Sequence, residues 1–293
     1  MAVKLLITGG NGFIARNLNE QLGGEYEVTA CGSQELNLLD TEKVYDFLKH
    51  HHFDVVIHTS TYDPAPRHST KDPTKVLEYN LKMFFNLVRA KDHFGKMLYL
   101  GSGAEYDRLH WSPRMKEECF DQYVPSDQYG FSKYIMSKYA LLHKNIFDLR
   151  IFSVFGKYED WRYRFISRAC CCALFDLPVT IKQNVKYDFL YVDDLVKIVK
   201  WFIENKPQKQ IYNVCSGQAI DFFSLAQIVA KIAGKPLKTV VKSEGLGVEY
   251  SGDNDLLLSE MGAGDFTPMV ESIKALYDWY SLNRQLINKA ELA

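Results

Sequence analysis

Val3-Lys4-Leu5-Leu6-Ile7-Thr8-Gly9-Gly10-Asn11-Gly12-Phe13-Ile14-Ala15 is the stretch on which the fold turns. An apolar run of strand character (3–8) empties into glycines, and residues 13–22 then carry helical spacing. Glycines at such a junction permit a tight turn. They also let backbone N–H groups approach a pyrophosphate at the start of the following helix. A lone glycine pattern is weak, because many strand-to-helix turns contain glycine. Its place after the N-terminal strand and at the opening of a helix gives this one its weight. It predicts a dinucleotide-binding loop, with Gly9, Asn11, Gly12, Phe13 and Ile14 as cofactor contacts.

Outward from the loop, short β-rich runs alternate with helical patterns. Strands are expected at 26–31, 54–58, 96–101 and 148–153, and helices at 42–50, 76–91 and 128–144. Such alternation predicts βαβ units in an α/β doubly wound parallel sheet, a Rossmann arrangement. After Gly156 the rhythm breaks at a segment rich in arginine and aromatics (161–165). A strand and helix follow at 188–192 and 193–204, then a strand at 211–214 and smaller α/β pieces ending in a helix at 270–288. The expected division is a dinucleotide-binding domain over 1–156, with 188–214 returning to it. A smaller substrate-binding α/β domain would comprise 157–187 and 215–293.

The chain has 293 residues, 47% of them hydrophobic, enough for a sizeable core. Its net charge of −1 gives no global attraction to nucleic acid or to an anionic membrane. No apolar run is long enough to span a bilayer and no basic leader precedes the first strand, so a cytoplasmic location is expected. The six cysteines lack zinc-like pairing. Cys170, Cys171 and Cys172 are consecutive and read as small core residues, not metal ligands. His50, His51 and His52 follow a helix end and read as a solvated turn, so no metal is expected.

Tyr129 and Lys133 stand four apart on a predicted helix and therefore share a face. A neighbouring ammonium favours the phenolate and would draw the tyrosine pKa, ordinarily about 10, toward working range. The same spacing arises by chance on amphipathic helices. Ser102 ends an apolar strand at the carboxyl edge of the sheet, where sites of this fold form.

Ser102, Tyr129 and Lys133 together resemble the catalytic triad of the extended short-chain dehydrogenase/reductase family. The loop at 8–15 is similar to that family's phosphate loop, with Ala15 in place of its third glycine. The resemblance covers nearly the whole chain, including 35–40, 56–60, 188–195 and 211–217; it is of the NAD-dependent epimerase/dehydratase type, nearest to GDP-fucose synthases and 4-keto-sugar reductases and epimerases. It implies that Tyr129 exchanges the proton with the substrate oxygen, Ser102 hydrogen-bonds that oxygen, and Lys133 holds the nicotinamide ribose. It further implies cofactor contacts at Ser33, Asp40 (to the adenine), Thr59 and Ser60. Substrate contacts would fall at Ser102, Ser153, Arg162, Arg164, Lys186 and Tyr187. The arginines serve equally well as solvated surface residues.

Departures from the family pattern narrow the chemistry. Dehydratases carry an acid pair directly after the serine; Gly103 and Ala104 stand there, with Glu105 one residue late. The GDP-fucose synthases epimerise with a cysteine where Ala104 stands and with a distant histidine that has no counterpart near 162–165. Dehydration and double epimerisation are therefore not expected. A 4-keto-sugar reductase is favoured, with a C4 epimerase holding NAD as the alternative and a non-catalytic NAD(P)-sensing protein as a reading of another class. The second strand ends Cys31-Gly32-Ser33-Gln34, without the carboxylate that binds a ribose 2′-OH, which favours NADP(H) over NAD(H). The family habit implies a homodimer through the helices at 76–91 and 128–144. Phe84, Phe85, Ile135 and Tyr139 are compatible with it, or equally with a core.

Overall fold

The computed structural model describes residues 2–64, 69–262 and 264–292. Strand β1 (Lys4–Thr8) feeds helix α1 (Phe13–Leu22). The alternation continues through β2 (Glu27–Cys31), α2 (Thr41–His51), β3 (Phe53–His58), α3 (Val76–Arg89), β4 (Phe94–Ser102), α4 (Gln128–Ala140) and β5 (Ile146–Ile151). Next come β6 (Ser153–Phe155), α5 (Phe165–Leu174), β7 (Val179–Asn184), β8 (Lys186–Tyr191), α6 (Val192–Glu204) and β9 (Ile211–Val214). The chain closes with β10 (Ala219–Asp221), α7 (Phe222–Ala233), β11 (Thr239–Leu246), α8 (Asp255–Met261) and α9 (Met269–Leu282).

Six strands form one parallel sheet in the order β2-β1-β3-β4-β5-β9. This is the doubly wound α/β fold. The chain steps outward from β1 to β2 and then crosses to β3 on the other side, so the switch point lies between β1 and β3, where such sheets bind ligands. Alternate side chains feed two cores. Leu5 and Ile7 pack with α1 and α6 on one face, and Leu6 with α2, α3 and α4 on the other. Burial on both faces explains why these strands read as continuous apolar runs.

The stretch 148–153 is not one strand. β5 stops at Ile151, Phe152 turns into an aromatic cluster, and Ser153 opens β6, which pairs with β8 in a separate three-stranded sheet, β10-β8-β6. Two helices are also shorter than their apolar patterns. α4 ends at Ala140, leaving Leu141 and Leu142 exposed, and α9 ends at Leu282, where Asn283 caps the Trp279 carbonyl at 2.8 Å and Ile287 folds back into the core.

β7 and β11 form a two-stranded sheet beside α5, α7 and α9. Helix α5 is buried over all but Phe165 and Arg168, so all three consecutive cysteines are fully buried although they point in different directions. Phe84 belongs to the core, whereas Phe85 and Tyr139 meet edge to face at 5.0 Å and, like Ile135, stay half-buried. Among the described residues no helix is long and apolar enough to cross a membrane.

Candidate active site

The glycine loop builds an anion cradle. Gly9 has φ +68°, and a side chain there would meet Ser60 Oγ at 2.9 Å, so only glycine fits both the turn and the approach of β3. The Gly12 amide donates to Gly9 O at 2.8 Å. Gly12 then caps α1 in an extended conformation without side-chain help, and no acidic residue stands in the first turn. The first amides of α1 are thus left for a ligand, and the helix end favours a negative one. Ala15 is fully buried and fills the place of the third glycine. Thr59 Oγ1 donates to Thr8 O at 2.6 Å, locking the ends of β1 and β3 together below the loop. These residues fit a dinucleotide pyrophosphate.

A cavity of about 720 Å³ opens at the carboxyl ends of the strands. It brings Phe13, Ile14 and Thr59 of the expected cofactor set together with Ser102, Tyr129 and Lys133. Ser153, Arg164 and Tyr187 of the expected substrate set line the same space. Residues from β4, α4, β6, β8 and the turn before α5 therefore converge, with 85 positions of sequence between Ser102 and Tyr187.

Ser102 sits where β4 gives way to a helical turn. Its hydroxyl accepts from the Ala104 amide at 3.2 Å, and Tyr129 and Tyr250 line the same cavity. Asp127 caps α4 by accepting from the Gly130 amide at 2.9 Å, which fixes the helix start that carries Tyr129. Lys133 is buried, with Nζ donating to Leu100 O at 2.9 Å and lying 5.8 Å from the Tyr129 ring centre. Burial pulls its pKa down to about 8, against the opposing pull of Glu105, Asp148 and Asp63. The expected lowering of the Tyr129 pKa by Lys133 is not found. Burial pushes the phenol up, as does Asp63, and what lowers it is the Ser102 hydrogen bond with Arg164 and Arg108.

Glu105 points away from the cavity, as its one-residue offset predicts. It is fully buried, accepts from the Ser102 amide at 2.9 Å and pairs with Arg150 at 2.5 Å.

Several expected contacts fall elsewhere. Arg162 does not line this cavity: its guanidinium is committed to Asp160 at 2.9 Å and Glu291 at 3.5 Å beside a separate, smaller cavity. Lys186 is exposed, and its contribution is a backbone carbonyl that accepts from Tyr250 at 2.9 Å. Asp40 spends its carboxylate capping α2, accepting from the Lys43 amide at 3.2 Å. Gly9, Asn11, Gly12 and Ser60 stay with the glycine-loop cradle at the edge of this cavity, and Ser33 is exposed just after β2.

That strand end does carry a carboxylate. Glu35 folds back so that Oε2 accepts from the Gly32 amide at 2.9 Å, and a side chain at 32 would meet both Glu35 Oε2 and Asn11 Nδ2. The premise of a strand end without acid, taken from residues 31–34, is corrected: the acid arrives one residue later through the turn. Other wall residues have no motif to announce them, namely Asp63, Arg108, Trp111, Asp127, Glu159 and Tyr250.

Comparison with known proteins agrees with this architecture. The chain is 25% identical over 284 residues to GDP-L-colitose synthase of Yersinia pseudotuberculosis, covering 89% of this chain and 92% of that protein. It is 25% identical over 263 residues to GDP-6-deoxy-D-mannose reductase of Pseudomonas aeruginosa, covering 82% and 83%. In fold it matches the NADP-bound GDP-mannoheptose C4 reductase of Campylobacter jejuni with a TM-score of 0.83 at 18% identity, over 96% of this chain and 98% of that one. Solved structures of similar fold hold NADP in some cases and NAD in others. Residues 5–215 match the model of the NAD dependent epimerase/dehydratase family. The chain is an NAD(P)-dependent enzyme that belongs to this family.

Proposed function

We propose that this enzyme is a 4-keto-sugar reductase acting on a nucleotide-linked sugar, with Ser102, Tyr129 and Lys133 as its catalytic residues. The observation that carries the proposal is the convergence of these three side chains at the mouth of the switch point, with no acid behind Ser102 facing the cavity. When bound, the nicotinamide cofactor supplies the hydride. Tyr129 gives its proton to the sugar carbonyl oxygen, which becomes the hydroxyl, and recovers one from solvent. Ser102 donates a hydrogen bond to the same oxygen, and buried Lys133, anchored on Leu100 O, holds the nicotinamide ribose. Raised by burial, Tyr129 is protonated at neutral pH, the form a reductase needs at the start of its cycle.

Arg164 and Arg108 on the cavity wall supply positive charge for a substrate diphosphate, a task Arg162 is not placed to perform. The names of the curated relatives, a colitose synthase and a deoxymannose reductase, support a GDP-linked substrate. As for the cofactor, the position of Glu35 removes the argument that favoured NADP(H), since a carboxylate near the ribose would repel a 2′-phosphate.

Tyr129→Phe is the test. Turnover should be abolished while cofactor affinity stays within a few-fold, and retained turnover would refute the role given to Tyr129.

A further inference from the structure

Glu159 is only 6% exposed, yet it stands on the wall shared by the active cavity and the smaller cavity. One group serves its carboxyl: the Ser167 hydroxyl donates to Oε2 at 2.6 Å. Among the described residues Oε1 has no hydrogen-bond or ion-pair partner, and it is not sealed in the interior. That oxygen therefore opens onto a cavity.

The charged groups around Glu159 supply no counter-cation. On its own segment, Arg164 lies over the Tyr163 ring at 5.2 Å, and Arg162 pairs with Asp160 and Glu291. From α1, the Arg16 guanidinium lies over the Tyr158 ring at 3.6 Å. Helix α5 contributes Ser167 and the buried Cys170 thiol. From α9, the Tyr280 hydroxyl donates to the Glu159 backbone carbonyl at 3.3 Å. A buried carboxylate without a cation is costly, so these surroundings favour the neutral acid. The pKa of about 7 agrees: burial raises it, against the pull of Arg164 and the Ser167 hydrogen bond.

A neutral carboxyl has one hydrogen to donate. Oε2 is occupied as the acceptor for Ser167, which leaves the hydrogen on Oε1, the oxygen that opens onto a cavity. A diphosphate held by Arg164 in the active cavity would bring negative charge toward the same carboxyl. Ionised Glu159 repels such a ligand, and protonated Glu159 can hydrogen-bond it.

Resting on the nucleotide-sugar reading of this site, we propose that Glu159 is a further substrate-binding residue: as a neutral acid it donates from Oε1 to an oxygen of the substrate diphosphate, and binding above neutral pH takes up its proton.

The test is calorimetric binding of GDP-mannose, a stable GDP-linked sugar whose diphosphate does not titrate near neutrality, to the full chain. Between about pH 6 and about pH 8.5 the wild-type affinity should fall roughly tenfold. At the higher pH, binding should take up close to one proton, read from the dependence of the heat on the buffer's ionisation enthalpy. Glu159→Gln keeps a donor and cannot ionise. Its affinity should change less than about twofold over the same range and exceed the wild type's roughly tenfold at the higher pH. Glu159→Ala has no donor and should bind about fivefold more weakly than wild type at the lower pH. Equal pH dependence in wild type and Glu159→Gln would overturn the proposal, as would wild-type affinity in Glu159→Ala at the lower pH. Both results leave the nucleotide-sugar reading standing. A wild type that binds no GDP-mannose at either pH would count against that reading and overturn the proposal with it.

Discussion

Glu105 accepts a hydrogen bond from the Ser102 backbone amide at 2.9 Å from inside the protein, so the serine of the triad is set on a buried carboxyl group. The same carboxylate pairs with Arg150 at 2.5 Å, and Arg150 also lies 3.3 Å from Asp148. Ser137 bridges the group, accepting from Arg150 at 2.8 Å and donating to Asp148 at 2.6 Å. All of these groups are fully buried. Two carboxylates facing a single guanidinium make Arg150 the group that offsets most of the desolvation cost on this side of β4 and β5.

Arg150→Met should therefore lower the unfolding free energy by about 3–5 kcal/mol, because it leaves two buried carboxylates without their cation. Urea unfolding followed by circular dichroism measures this. A loss under about 1 kcal/mol would mean that the carboxylates do not depend on Arg150.

A pH effect follows from Glu159, a buried residue on the cavity wall whose carboxylate accepts from Ser167 at 2.6 Å. Burial pushes its pKa up to about 7, against the opposing effects of Arg164 and Ser167. An acid whose folded pKa is raised stabilises the fold fully below its unfolded value, here 4.5, and loses that contribution as pH rises to about 7. Comparing wild type with Glu159→Gln between these limits, the wild type should lose about 3 kcal/mol relative to the variant. A stability difference that does not change with pH would contradict the assignment.

Glu35 should discriminate between the cofactors. Glu35→Gln removes a negative charge beside Ser33 and Asn11 while keeping an oxygen able to accept from the Gly32 amide. NADPH affinity is expected to rise roughly tenfold relative to NADH, measured by nicotinamide fluorescence titration. An unchanged ratio would show that the 2′-phosphate lies away from this turn.

Much of the site was legible because its parts are local. The loop at 8–15 and the pair Tyr129 and Lys133 each lie within a few residues, where spacing alone reports a turn or a helix face. Ser102 was legible as a strand end. Tyr250 was not: it joins the cavity wall through an isolated bridge to Tyr187 in a stretch without periodicity. Glu35 was hidden because the chain turns back on Gly32, which sequence order does not show. Arg162 and Arg164 stand two residues apart and look interchangeable. The turn before α5 separates them, with Arg164 capping the helix over the active cavity and Arg162 paired with Asp160. The break between Ile151 and Ser153 was invisible for a similar reason, since both flanking segments are extended and only their partners differ.

The central claim is net reduction of a 4-keto sugar, and the stoichiometry of cofactor use tests it most directly. Purified enzyme would be given a GDP-linked 4-keto-6-deoxy sugar with a measured amount of NADPH or NADH, and both oxidised cofactor and sugar product would be counted. The account predicts one cofactor oxidised for each 4-hydroxy sugar formed, and none of either with Tyr129→Phe. Interconversion of 4-hydroxy sugars without net consumption of cofactor would contradict it and make the enzyme a C4 epimerase.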